Sequence, residues 1–343
     1  MVSSSNNHNK LITIDFLRVL FSVSIMVYHF NSWSGQTTNT ILDILSIYAV
    51  EGFFVISGIV LTYNYYEKFK LKQYIIHRFF RIAPLFYLAL VLEQLRHYTS
   101  SYFGYENLSS FLIEMTNNIM FFHIFQPHRS AVVSGWSIMI EVGLYILFPF
   151  LLIFFNKNNF RRIVFFVSFY AVITFVIFNF FLFNPSNGFE NHIYTNILFH
   201  IPFFIFGMTI GYMKLFNIKF LLLWSLTLFI FILIHFLNIE DQLSLILNQN
   251  RVLLAIITIL FLGYFTFNDI LLTLSPVLIK IVSFFSNLTY SIYLLHFFIF
   301  YIGFNLYHIN NIYILMIITI LVSIPTYYYY ERLFIKLGRS YAR

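Results

Sequence analysis

Asp15, Arg18 and His29 stand within one apolar run, Leu11 to Phe30. An ionisable group in hydrocarbon costs about 2.5 kcal/mol or more, so such residues face a protein interior or a water-filled cavity and mark function. Arg18 and His29 are eleven residues apart, close to three helical turns, which puts both on one face about 16 Å apart along the axis. Asp15, three before Arg18, shares that face and can pair with it. A plainer reading is open: Asp15 and Arg18 neutralise each other while His29 reaches the headgroups.

A second acid, Glu141, follows Ser134-Gly135-Trp136-Ser137-Ile138-Met139-Ile140 in another apolar run. Its depth demands a partner. His29 is the expected one, because a carboxylate beside an imidazole fixes its tautomer and stabilises the imidazolium, as for a general base. Ser137, one turn earlier, is a nucleophile or a helix hydroxyl satisfied by the backbone. Arg78 and Arg81 in Arg78-Phe79-Phe80-Arg81-Ile82-Ala83-Pro84 lie three apart on one helical face and can grip a phosphate, or hold the helix against anionic lipid. His296 closes Tyr290-Ser291-Ile292-Tyr293-Leu294-Leu295-His296, a buried histidine that can equally be a packing residue.

The elements that must position these residues are membrane helices. Of 343 residues, 60% are hydrophobic and 10% charged, with mean hydropathy +0.81, far from soluble composition. Crossing a bilayer takes about 20 helical residues. Runs suited to it occur at 11–30, 44–63, 82–98, 132–155, 163–183, 197–215, 220–237, 251–267, 282–302 and 312–331. The expected fold is therefore an all-α integral membrane bundle of about ten helices. Basic residues gather in cytoplasmic loops. With both termini inside, only Arg96, Arg129 and Arg251 fall outside, so the charge of +7 is an orientation signal and implies no nucleic acid. Residues 1–343 form one transmembrane domain, with 1–10 and 332–343 as cytoplasmic tails, and the first run reads as an uncleaved anchor. Residues 111–125 fit a short interfacial helix. Without cysteine, acyl chemistry must use another group.

Within the second run, Glu51 precedes Gly52, Ser57 and Gly58, small residues that let helices pack closely in lipid. Together with Leu17-Arg18 and His29, the Arg78 to Pro84 segment, Trp136-Ser137 with Glu141, Tyr145 and Pro149, the Tyr290 to His296 segment, and Glu331-Arg332, this order resembles the acyltransferase-3 family of membrane-bound acyltransferases. Val19, where the family often has Gly, and Glu51 depart from its pattern.

The resemblance implies an acyl-CoA donor, usually acetyl-CoA, with no permanently bound cofactor, and a glycan acceptor such as O-antigen of lipopolysaccharide, at the bacterial cytoplasmic membrane. It also implies the stand-alone type, since no hydrolase-like domain is legible. On this reading Arg78, Arg81 and Arg18 bind the donor and His29 with Glu141 is catalytic. Asp15, Trp136, Ser137, Tyr290 and His296 support the site or face the acceptor. An acyl-His29 intermediate is a variant of the mechanism. The rival is a transporter or flippase of a lipid-linked saccharide; a non-catalytic assembly partner ranks below both.

Overall fold

The computed structural model describes residues 11–35, 40–99, 108–153, 194–215, 249–268 and 275–342. The helices are α1 (Ile12–Trp33), α2 (Thr40–Tyr65), α3 (Leu71–Thr99), α4 (Leu108–Ile119), α5 (Gly135–Leu152), α6 (Ile201–Leu215), α7 (Gln249–Phe267), α8 (Pro276–Tyr301), α9 (Ile312–Pro325) and α10 (Arg332–Tyr341). A π-helical turn, Thr326–Glu331, joins α9 to α10 without a break. No strand occurs among the described residues. Seven of the described helices are long and apolar enough to cross a membrane, and α7 is a shorter apolar one. Two of the ten expected spans, 163–183 and 220–237, lie outside the described residues. The expected 1–10 tail does too.

Two differences from the sequence reading matter for the site. The third span starts earlier than expected, so Arg78 and Arg81 sit inside α3 and not in a loop leading to it. Residues 332–341, expected as part of a tail, form α10, which docks on α3. The 111–125 segment is the helix α4 followed by a short 3-10 turn, with Leu108, Leu112 and Ile113 exposed along it.

Small residues set the closest packing. A Cβ at Gly58 of α2 would fall 2.7 Å from the Met208 nitrogen of α6 and closer still to the Phe204 carbonyl oxygen. Gly207 and Gly211 of α6, spaced as Gly-xxx-Gly, meet the backbone of Val55 and Ile59 in the same way. Hydrocarbon offers no hydrophobic drive between helices, so this backbone approach supplies dispersion contacts that lipid cannot match. α1 packs on α2 and on α8, and Gly52 of α2 receives the ring of Phe21. That places the polar face of α1 opposite α8.

Candidate active site

Pro149 shapes the site from a distance. It has no N–H to give the carbonyl of Tyr145 one turn earlier, and that oxygen accepts the hydroxyl of Tyr74 at 2.8 Å instead. α5 is thereby tied to α3 at the level of Tyr145. The Tyr145 hydroxyl in turn donates to the Glu141 carboxylate, which also accepts from Ser57 at 3.2 Å.

Around these groups lies a cavity of about 780 Å³. Its cations are Arg18, Arg78, Arg81, Arg332, Lys336 and Arg339, with His77 beside them; its acids are Asp15 and Glu141. Arg18 Nη1 stands 3.7 Å from Asp15, and Asp15 accepts a hydrogen bond from Ser286 at 2.9 Å. Arg81 forms an ion pair with Glu331, whose other oxygen accepts from Ser291 at 2.8 Å. The π turn after Pro325 carries Glu331 into the bundle, where it is 2% exposed. Such wide turns are frequent at functional sites. Arg78 has no acid partner among the described residues; its guanidinium lies 5.7 Å from the ring centre of Tyr65 and 5.6 Å from that of Tyr145. Tyr290 braces α8 on α3 through its hydroxyl on the Ile82 carbonyl at 2.9 Å and lies under Arg81. A second, apolar cavity of about 760 Å³ lies between α3 and α5, and Arg78, Ile82 and Tyr145 line both.

His29 and His296 form a separate group. His29 and His296 are stacked, ring centres 5.5 Å apart and planes at 25°. Phe297 covers both, 4.5 Å from His29 and 4.6 Å from His296. His296 Nδ1 faces the Ile292 carbonyl at 3.2 Å. Only a protonated nitrogen can donate there, so in the neutral ring Nε2 carries the lone pair; it is buried and makes no hydrogen bond. Neither histidine lines the large cavity.

Tyr293 stands between the two regions. Its ring contacts His296 at 5.9 Å, it lines the cavity, and its hydroxyl is 2.6 Å from Ser137 Oγ. Ser137 Oγ also donates to the Ser134 carbonyl at 3.3 Å.

The expected meeting of His29 and Glu141 is therefore corrected. Glu141 lies on the arginine side with Ser57 and Tyr145, and the side chain beside His29 is His296. The reason is helix register: Ser137 is level with Tyr293, and Glu141 is one turn, about 6 Å, further along α5. Arg18, Arg78, Arg81 and Asp15 do converge, and Ser137 and Tyr290 join them on the cavity wall. Trp136 does not. It packs 5.2 Å from Tyr194 and 6.2 Å from His200. Sequence reading missed the contribution of Arg332, Lys336 and Arg339, whose i, i+4, i+7 spacing was the available signal. It also missed Tyr293 as a divider, which no spacing announces.

The acyltransferase-3 model, described as an acyltransferase domain, matches residues 11–328. The chain belongs to this family. Peptidoglycan O-acetyltransferase OatA of Listeria monocytogenes serovar 1/2a (strain ATCC BAA-679 / EGD-e) is 29% identical over 163 residues, covering 41% of this chain and 24% of that protein. The chain thus spans about a quarter of the length of this relative. No solved structure gives a significant match. In this family member the arginine cavity and the histidine pair are joined through one tyrosine.

Proposed function

We propose that the chain is a multi-pass O-acyltransferase of the bacterial cytoplasmic membrane that moves an acyl group, acetyl, from acyl-CoA at the cytoplasmic side to a sugar hydroxyl of a cell-surface polysaccharide such as O-antigen. One observation carries the reading: a cation-lined cavity suited to a phosphorylated donor abuts, through Tyr293, a histidine pair suited to proton transfer. The likeness to a peptidoglycan O-acetyltransferase supports acetyl transfer to a glycan.

In this mechanism Arg78 takes the donor's diphosphate, beside the Arg81–Glu331 pair. Arg18 lies further up the cavity, where the pantetheine arm runs past it. The acyl end reaches Tyr293. His29 accepts the proton of the sugar hydroxyl as its oxygen attacks the thioester carbonyl; the C–S bond breaks, and the CoA thiolate leaves and takes up a proton. General base catalysis of this kind is worth about 10²–10⁴-fold. His296, stacked on His29 and with Nε2 making no hydrogen bond, orients the acceptor or His29. Glu141 holds the Tyr145 hydroxyl and offsets the cluster of arginines, and so positions the donor channel.

The test is transfer of labelled acetyl from acetyl-CoA to purified polysaccharide by the reconstituted protein. His29→Ala, folded normally, is expected to lose at least about 100-fold in rate. Wild-type turnover in that variant would overturn the assignment. Label retained on wild-type protein without acceptor would instead indicate an acyl-histidine route.

A further inference from the structure

Six cations line the large cavity against two carboxylates. Arg18 is matched by Asp15 and Arg81 by Glu331. Arg78, Arg332, Lys336 and Arg339 have no carboxylate within ion-pair distance among the described residues. Three of these four belong to α10.

That helix is held and not merely adjacent. Gly338 lies against Phe80, where a Cβ would come within 2.6 Å of the phenylalanine Cβ. Phe80 stacks on Tyr341 at 5.9 Å, and Gln73 donates to the Ala342 carbonyl at 2.8 Å. At 100° per residue, positions 332, 335, 336 and 339 share about 100° of the surface adjoining the arc that packs on α3. All four line the cavity. Like charges brought to one rim repel each other unless a polyanion sits among them, and a cleft of one sign focuses field on such a ligand.

Arg78, deeper in α3, can serve one phosphate group. The α10 cations serve another. We propose that Lys336 and Arg339, with Arg332, form a second phosphate subsite that takes the 3′-phosphomonoester of the CoA donor while Arg78 takes the diphosphate; this rests on the acyl-CoA reading above. A phosphomonoester carries close to two charges at neutral pH, which suits a cluster of three cations. An anionic lipid headgroup offers the same phosphate chemistry, and the experiment separates the two sources.

The double variant Lys336→Gln, Arg339→Gln changes exposed side chains and leaves the Gly338 contact intact. Wild type and variant are reconstituted in vesicles of phosphatidylcholine, with or without phosphatidylglycerol, and kcat/KM is measured with acetyl-CoA and with acetyl-3′-dephospho-CoA. Wild type is expected to favour the 3′-phosphorylated donor by roughly tenfold or more. In the variant the ratio falls towards one in both lipids, and Lys336→Arg, Arg339→Lys restores it. A ratio that is one in wild type, or equal in wild type and variant, overturns the subsite and leaves acyl-CoA as donor. A defect seen only with phosphatidylglycerol assigns the cluster to lipid and overturns it as well. No turnover of either donor by wild type removes the acyl-CoA reading, and the subsite with it.

Discussion

Arg81 and Glu331 are separated by 250 positions in the chain and meet as an ion pair. Glu331 is almost fully enclosed while Arg81 keeps one-third of its side chain exposed. Removing the arginine strands a carboxylate, so Arg81→Ala is expected to destabilise the protein, by less than the roughly 3–5 kcal/mol of a fully buried pair because solvent reaches the cation side. Thermal unfolding in detergent would measure it, and Glu331→Gln in the Arg81→Ala background should recover part of the loss. At the histidines, on the proposed function, His296→Ala is expected to reduce kcat while leaving the acetyl-CoA KM little changed, since His296 lies beyond Tyr293 from the cation-lined cavity; steady-state kinetics over acetyl-CoA concentration would check this. The types of these residues were legible in the sequence, because a charge in an apolar run is conspicuous. Their partners were not. Glu141 was one turn too far along α5 to meet His29, a matter of how two non-adjacent helices slide against each other, which periodicity along either one does not encode.

At the scale of the element, glycines and prolines carry the architecture. Gly207→Leu would drive a side chain into the Val55 backbone. Overpacking of this kind costs about 1–3 kcal/mol where side chains can yield, and a backbone neighbour yields least, so a loss of solubilised, monodisperse protein is expected by size-exclusion chromatography. Pro149→Ala would give the Tyr145 carbonyl back to the helix ladder and compete with Tyr74. The expected outcome is weakened donor binding, a raised acetyl-CoA KM, without loss of fold. The apolar runs announced most helices because length and hydropathy suffice for that. α10 escaped because its lysine and arginines had already been read as topology charges; the same residues face the cavity once Gly338 seats the helix on Phe80. The start of α3 was misjudged for a related reason. Its first turns are too charged to read as membrane helix, yet they continue the same rod.

Across the whole molecule, the cation-lined cavity and the histidine pair are built on the same pair of helices. α1 supplies Arg18 to one and His29 to the other; α8 supplies Tyr290 to one and His296 to the other. The packing of α1 on α8 therefore fixes where the cavity stands relative to the histidine pair. Among the described residues, Tyr293 both lines the cavity and contacts His296, and it is fastened to Ser137 by a 2.6 Å contact. A cell membrane holds a voltage and a proton gradient, and a polar cavity within a membrane protein is a potential leak for both. Where that cavity meets Tyr293, the ring stands with Phe297 and the two histidines as an aromatic partition, and on the proposed function only a small acyl group has to pass it. The cost of acylating a glycan outside the cell would then be a thioester, and not the gradient that the same membrane exists to keep.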